Sequence, residues 1–486
     1  MQRIIQNGYC RIKYFVQRAF EYFSKIENYC KKWSITGVLS LGACLFIASA
    51  NAQTTLHKDA RKYFTSAVQV INNPTSTSTQ MHSAIENLQK AAAIDGAFAG
   101  IDYYLGLAHY YQQEYMVANT HFLNYASKTK EVNPDYLLYE GIVKYKLTEN
   151  ETAQNYLQEF LNSLAADKDR YKDSLARRNL QLSKQSQTLM SKILPSKKQA
   201  IFDVNTETND EYYPVLTSDR KKMLFNRMET DSLTGLPVNR IYWYVFEGDT
   251  LGPNPRPLPF NNIEKKEFIL TSMNSTGKKI LLVAKDNNGN YDVYESEWMV
   301  REFAAPIKMF SQINSYADEK FATYGHNDSL IYVISNRPGG YGGYDIWKIN
   351  NTPRILYESM INLGPVINTE YNENYIATVN NSPTLFFSSE GHLNIGESDI
   401  FRTRLEYGQY TRPVNLGYPI NTTGNENTFF PYPTANMGLS TIKNASLDIV
   451  ITYLPPKAKK PAYIMQEQYL EDHPLGKTTI ITPKDE

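Results

Sequence analysis

Apolar positions along the chain follow two rhythms. From Leu56 to about Met190, Ala, Leu and Tyr recur at helical spacing with few glycines, interrupted by one Pro/Ser/Thr-rich break from Asn73 to Thr79. This spacing predicts an all-α segment. Within it Ala84, Leu88 and Ala91 return as Ala118, Phe122 and Tyr125, a shift of 34 residues, and more loosely as Ala153 with Tyr156 or Leu157. A plain helical bundle would share the apolar spacing but has no reason for that return. After Leu194-Pro195-Ser196-Lys197-Lys198 the chain changes to short strand-forming runs punctuated by Asn, Gly, Asp and Pro. Alternation replaces helical spacing, which predicts β-structure.

The second half repeats at about 53 residues. An asparagine precedes a carboxylate by five positions at Asn205/Asp210, Asn262/Glu267, Asn314/Glu319, Asn368/Glu373 and Asn421/Glu426. Each unit continues through an apolar run such as Ile280-Leu281-Leu282-Val283, then a turn, then a second strand. Four of the second strands carry an aspartate at one place: Asp292, Asp345, Asp399 and Asp448. Two units close with Asn362-Leu363-Gly364 and Asn415-Leu416-Gly417. Several short strands per unit, repeated at this length, predict a β-propeller. A β-sandwich would not bring the same two polar residues back five times. The last unit lacks an outer strand of its own, and Gln199 to Val204 is placed to supply it and close the ring, removing an exposed edge. The expectation is five blades, or six if the tail contributes strands. The recurring Asn and Asp/Glu side chains are expected to bond backbone groups at blade junctions.

The fold class expected is therefore α + β multidomain: a helical-repeat segment over residues 53–193, a linker at 194–198, a propeller over 199–457 and a tail at 458–486. At 486 residues there is length for two or three cores. Lys plus Arg equals Asp plus Glu at 50 each, so no net field draws the chain to nucleic acid. Its three cysteines, Cys10, Cys30 and Cys44, all precede the helical segment, which excludes cysteine chemistry from the main body. Tyrosines outnumber phenylalanines 37 to 21; these are rings that pack on one side and hydrogen-bond on the other.

Lys31-Lys32, the apolar run Ile35 to Ala48 and Ala50-Asn51-Ala52 compose a signal peptide over residues 1–52, with a long n-region and cleavage after Ala52. The run is shorter than the ~20 residues that span a bilayer. Leu41-Gly42-Ala43-Cys44 is an alternative lipobox that would make Cys44 the lipidated first residue.

The 34-residue return resembles tetratricopeptide repeats, whose stacks dock peptides or proteins. The stretch Ile334 to Trp347, with Pro338-Gly339-Gly340-Tyr341-Gly342-Gly343-Tyr344-Asp345, resembles the TolB-like, WD-like (PD40-type) propeller repeat of Bacteroidetes envelope proteins, as do Phe387 to Phe401 and Asn415 to Thr422. Signal peptide, helical repeats and propeller together look like periplasmic proteins tied to type IX secretion and gliding motility. That resemblance implies a periplasmic scaffold or adaptor at the outer membrane, with envelope or secretion-complex proteins as partners; no stretch after the signal peptide is apolar enough to span, so the mature chain is expected to be soluble or peripherally attached to the membrane. Members often end in an OmpA-like domain; thirty residues after Pro456 are too few for one, so direct peptidoglycan binding is not expected.

The motifs of known chemistries are missing. Pro338 to Gly343 precedes a strand and is followed by no Gly-Lys-Ser/Thr, while Glu471 stands where a phosphate loop ending in Gly476-Lys477-Thr478 needs its first glycine. Asp286 to Asp292 lacks the distal glutamate of a calcium loop and reads as a hairpin turn. His109 and His121 have no i, i+4 partner and read as packing or surface residues. There is no Gly-x-Ser-x-Gly elbow and no His-Glu-x-x-His helix. No catalytic residue, cofactor or metal is expected. Arg337, Tyr341, Tyr344 and Arg402 are the candidate partner-binding residues. The competing reading is a periplasmic propeller hydrolase acting on glycan or peptide, which would show as convergent carboxylates in a deep axial pocket.

Overall fold

The structure is a computed structural model that describes residues 56–163, 169–191 and 196–454, apart from 202, 218, 220, 248–249, 252–253, 263–265, 353–358, 380–381, 433–436 and 444–445. The signal peptide with its three cysteines, the first half of the linker, and the tail with His473 and Gly476-Lys477-Thr478 lie outside the described residues. Among the described residues no helix is long and apolar enough to cross a membrane.

Among the described residues seven helices come first: α1 (Lys58–Ile71), α2 (Ser78–Ile94), α3 (Ala99–Tyr111), α4 (Tyr115–Lys128), α5 (Pro134–Lys146), α6 (Asn150–Asn162) and α7 (Arg170–Met190). Their ends follow local chemistry. Thr77 and Gln80 form a reciprocal capping box at α2, Pro134 takes the first position of α5, and the Asp169 side chain accepts from Tyr171 and Lys172 to start α7. Two compact units divide the chain, one ending at Val143 and one beginning at Lys144.

In the first unit α1 packs on α2 and α3 on α4. The repeat positions Ala84, Leu88 and Ala91 of α2, and Ala118, Phe122 and Tyr125 of α4, are all buried. A β-carbon at Gly106 would stand 2.5 Å from the Phe122 ring, so glycine is what lets α3 approach α4. The Tyr136 ring packs edge-on against Phe122. His109 and His121 stack with centroids 5.4 Å apart, and His109 Nδ1 meets Glu114 at 2.5 Å.

Among the described residues the second unit contains α6, α7 and 22 short strands grouped in five sheets. The closing strand comes first in the chain, β1 (Lys197–Ala200). The first blade is β2 (Asp210–Leu216), β3 (Lys222–Thr230), β4 (Pro237–Glu247) and β6 (Arg256–Pro257), with β5 (Thr250–Leu251) folded back on β4. Next come β7 (Ile269–Met273) to β10 (Ile307–Lys308), through β8 (Lys279–Lys285) and β9 (Tyr291–Glu297). The third blade is β11 (Glu319–Gly325), β12 (Leu330–Ser335), β13 (Asp345–Asn350) and β14 (Ile361–Asn362). The fourth is β15 (Glu373–Thr378), β16 (Thr384–Ser389), β17 (Asp399–Glu406) and β19 (Val414–Asn415), with β18 (Gln409–Tyr410) on the end of β17. The fifth combines β20 (Phe429–Pro431), β21 (Met437–Lys443) and β22 (Leu447–Tyr453) with β1, so the ring is a five-bladed propeller closed by its own N-terminal strand.

Closure differs in register from the expectation. Lys197 to Ala200 pairs antiparallel with Tyr453 to Val450. Ile201 and Val204, expected within that strand, turn inward and pack with Phe225, Tyr244, Leu439 and Ile449. Their apolar side chains are worth more in that junction than on a two-sided outer strand. The fully apolar runs have the same origin. Ile280 and Leu282 face the first blade in one cluster, and Leu281 and Val283 face the third in another. Side chains alternate along a strand and both faces of a blade are covered, so all four positions must be apolar.

Candidate functional site: blade junctions and the axial mouth

The repeated asparagines act on backbone. Asn205, Asn314, Asn368 and Asn421 each accept from the N–H and donate to the C=O of one residue in the third strand of the preceding blade. The pairs are 2.9 and 2.9 Å on Ile449, 2.7 and 3.0 Å on Val293, 2.8 and 3.0 Å on Ile346, and 2.8 and 2.9 Å on Ile400. A carboxamide carries one acceptor and one donor at the spacing of a peptide edge, which aspartate cannot copy. Each gripped residue directly follows a repeat aspartate: Asp448, Asp292, Asp345 or Asp399. Asn262 departs, bonding instead to the backbone of Lys266; the blade before it has Arg240 where the others have aspartate.

The aspartates organise hairpin loops. Asp345 accepts from the Tyr341 and Gly342 N–H groups and from Asn362; Asp399 does the same with Ile395, Gly396 and Asn415. Asp292 takes Lys308 at 2.6 Å in place of the outer-strand asparagine, and Asp448 accepts from Ser446.

The carboxylates at Asn + 5 fall on two adjacent structural positions. Glu319, Glu373 and Glu426 each accept the N–H and hydroxyl of the residue after the repeat asparagine, Ser315, Thr369 or Thr422, between 2.6 and 3.2 Å. In the first blade Glu211 has this role, with Thr206. Asp210 sits one place earlier and accepts the Leu447 N–H at 2.7 Å, as Glu267 accepts that of Asn239 at 3.0 Å and Asp318 that of Tyr291 at 2.7 Å. The signal that separates them is the hydroxyl residue at Asn + 1, absent where Ile263 follows Asn262. Burial pushes the Glu373 carboxyl up to about 8. Burial, with Glu426 adding to it, pushes Asp399 up to about 7.

Of the partner-binding candidates, Arg337 is turned inward. Its guanidinium meets Glu319 at 3.0 Å, with the side chain 11% exposed, and donates to the Ile313 carbonyl. Arg227 repeats this on Glu211 and the Val204 carbonyl, and His392 occupies the same place on the Ile367 carbonyl. Arginine therefore belongs to the junction machinery. Tyr344 donates to Asp318 at 3.0 Å and carries the Lys320 ammonium 3.6 Å above its ring. Tyr341 and Arg402 present exposed side chains.

A feature not legible in the repeat is a cavity of about 650 Å³ over the innermost strands, roofed by Leu175, Arg178, Asn179 and Leu182 of α7. Its floor includes Lys320, Asn374 and Asn427, each the residue after a repeat glutamate. The glutamate enters the blade and its neighbour takes the opposite side of the inner strand. Tyr213, Tyr371, Glu390, Glu397 and Asn425 complete the lining. Lys320 donates to Asn374 at 2.7 Å, and burial lowers its ammonium to about 8, against the pull of Glu390, Asp318 and Glu373. Both Glu390 oxygens accept amides, from Asn372 at 3.0 Å and Asn374 at 2.7 Å. Glu397 pairs with Lys146 at 2.5 Å and accepts Asn425 at 2.9 Å.

Bonds to the blades come from α7 and from the end of α5, where Tyr145 packs with Leu182 of α7. Tyr145 donates to the Ile395 carbonyl at 2.6 Å, Lys146 to the Thr423 carbonyl at 2.8 Å and the Thr423 hydroxyl back to the Lys146 carbonyl at 2.9 Å. Arg178 lies 4.3 Å over the Tyr371 ring and donates to the Glu390 carbonyl. The Asn394 N–H reaches Gln185 at 3.2 Å.

The class these observations define is a helical-hairpin protein with a five-bladed, self-closed propeller. No family model matches the chain, and no curated protein matches it. Among solved structures it is similar to TolB from Acinetobacter baumannii, at 16% identity and a TM-score of 0.30, over 51% of this chain and 55% of that one. It is also similar to a putative TolB from Agrobacterium tumefaciens, at 14% and 0.30, over 52% and 72%. A third likeness is to an α-L-arabinofuranosidase from Lactobacillus brevis, at 11% and 0.35, over 52% and 93%. Blade number and closure rest on the strand pairing of this chain itself.

Proposed function

We propose that the protein is a non-enzymatic periplasmic scaffold that binds protein partners at the outer membrane, within an envelope assembly of the type IX secretion or gliding kind. The observation that carries this reading is the employment of the recurring carboxylates. Glu211, Glu319, Glu373 and Glu426 are each spent on the backbone N–H and hydroxyl of a neighbouring Ser or Thr inside the blade. The repeat that dominates the sequence thus serves rigidity, and a rigid ring joined to helical hairpins offers docking surface rather than a reacting centre. The location and the secretion assembly rest on the export signal and the repeat resemblance.

The test is in-cell crosslinking of the full chain followed by fractionation of the envelope. The scaffold reading expects crosslinked species in the outer-membrane fraction that disappear when the helical segment is deleted. Recovery of the protein only as an uncrosslinked monomer free in the periplasm sinks it. A hydrolase reading has one feature in its favour, the pair Glu390 and Glu397 in the axial cavity. Turnover of a glycan or peptide substrate by the purified chain, lost in both E390Q and E397Q, would replace the scaffold reading.

A further inference from the structure

The axial cavity has a floor as well as a roof. Tyr213 lines it from the first blade, yet its ring packs edge-on against Phe321 at 5.2 Å and stacks on Tyr375 at 6.1 Å. Those two residues belong to the inner strands of the third and fourth blades, on the far side of the ring axis. The backbone that sets Tyr213 there is strained: it stands at φ 49°, in the bulge where β2 slips register against β3 between Tyr212 and Val215. A bulky residue keeps that conformation only where the surrounding contacts hold it. With α7 over the mouth and this ring lying across the axis, the space is a pocket and not a stretch of open channel.

The charges in the lining cancel. Arg178 and Lys320 are matched in number by Glu390 and Glu397, and Asp318 and Glu373 act on Lys320 from beyond the lining. A charged ligand therefore finds no counter-charge left over for it, and burying its charge unpaired is costly. What the lining leaves unused is hydrogen-bonding capacity of both kinds. Arg178 places one N–H on the Glu390 carbonyl, and Lys320 places one on Asn374. Among the described residues the Tyr371 hydroxyl and the carboxamide oxygens of Asn179 and Asn425 carry no hydrogen bond, and none is sealed from solvent as the Asn427 oxygen is. Leu175, Leu182 and the Tyr213 ring supply an apolar side.

We propose that this cavity binds a neutral saccharide of about two rings without cleaving it. A sugar hydroxyl donates and accepts at once, which matches a lining with spare donors on Arg178 and Lys320 and spare acceptors on Asn179 and Asn425. The C–H face of a sugar ring packs on the apolar side. A volume of about 650 Å³ is in the range of pockets that bury a ligand of this size. An uncharged peptide brings one backbone donor and one acceptor for each whole residue the space must hold, fewer polar groups than a saccharide fits in the same room. Glu390 and Glu397 stay in the amide and ammonium contacts that already occupy their oxygens, so neither is free to act on a glycosidic bond. The site is independent of the docking role proposed above, and its test needs no protein partner.

The test is calorimetric titration of the full chain with N,N′-diacetylchitobiose, with maltose and with the uncharged peptide N-acetyl-trialanine amide. The expected result is saturable binding of at least one disaccharide with a Kd below about 10 mM, the peptide weaker by about tenfold or more, and the bound sugar recovered intact by mass spectrometry. Leu175→Trp, which fills the pocket from a half-buried position on α7, should weaken binding about tenfold or more at an unchanged thermal midpoint. Asn425→Ala, at an exposed position of the lining, should weaken it about threefold or more and keeps the test open if the tryptophan disturbs folding. The proposal is overturned if neither disaccharide binds up to roughly 50 mM, if the peptide binds as tightly, or if both folded variants keep the parent affinity. Cleavage of the sugar also overturns it, in favour of the hydrolase reading.

Discussion

Replacing Asn421 by alanine removes one carboxamide that serves three groups. Its Oδ1 accepts the Ile400 N–H at 2.8 Å, and its Nδ2 donates to the Ile400 carbonyl at 2.9 Å and to Asn415 Oδ1 at 2.7 Å. The groups left behind are not equally harmed. The Ile400 carbonyl keeps the Leu416 N–H at 3.0 Å, and Asn415 Oδ1 keeps the Gly417 N–H at 2.7 Å. The Ile400 N–H is orphaned in a junction where Asn421 itself is 0% exposed. An orphaned buried donor costs about 1–3 kcal/mol, and each lost bond whose partner is satisfied elsewhere about 0.5–1.5. The sum expected for Asn421→Ala is about 2–6 kcal/mol. For a domain of this size that lowers the melting midpoint by on the order of 10 °C. Asn421→Asp should cost at least as much, since it sets carboxylate oxygen against two carbonyl oxygens where Nδ2 now donates. Asn262→Ala, at the same place in the sequence repeat, removes only bonds to the nearby Lys266 backbone, and should cost below about 1 kcal/mol. The assay is thermal unfolding followed by the emission of Trp243, Trp298 and Trp347, all in the blades. Equal shifts for N421A and N262A would refute the grip as the reason for the repeated asparagine.

Other outcomes follow from the same geometry. A chain beginning at Ile201 loses β1 and bares the edge of β22; against a chain beginning at Ser196 it should melt lower and scatter more light, and equal behaviour would count against closure by this strand. Tyr145→Phe removes the buried bond to Ile395 and should cost about 1 kcal/mol, with faster hydrogen exchange around Tyr145 and in α7, whose Leu182 packs on it, than in the blades; unchanged exchange in both would deny it an anchoring role. The Glu373 carboxyl titrates near 8 when folded, above its ordinary 4.5. The native state therefore binds the extra proton between those values, and stability should fall as pH rises through that window. Glu373→Gln should flatten this fall, and parallel stability curves for the two chains from pH 5 to 8 would contradict it.

Much of the propeller was legible because a blade is a local object. Apolar runs such as Ile280 to Val283, turns and a returning asparagine all report on strands that pair within about 53 residues, so spacing along the chain carries the information. The helical return was legible for the same reason: Ala84, Leu88 and Ala91 and their counterparts all become buried. The first blade shows where spacing fails. Counting five from Asn205 reaches Asp210, but the hydroxyl of Thr206 selects Glu211, because an added residue in the turn moves the count and leaves the hydrogen bond in place.

What the chain alone determined is the order of its modules, the two rhythms, and the polar residues that recur at each junction. Tertiary structure decided which of those residues meet. It brought the guanidinium of Arg337, a candidate for partners, to 3.0 Å from Glu319, and set β1 in register with a strand more than two hundred residues away. It also joined Tyr145 to Ile395, 250 positions apart, and laid α7 over the axial mouth through Arg178 and the Glu390 carbonyl. Periodicity is a property of neighbouring residues and expresses local backbone preference. A contact across such a span is chosen by which apolar faces and unmet hydrogen bonds the folded ring leaves for the rest of the chain to cover.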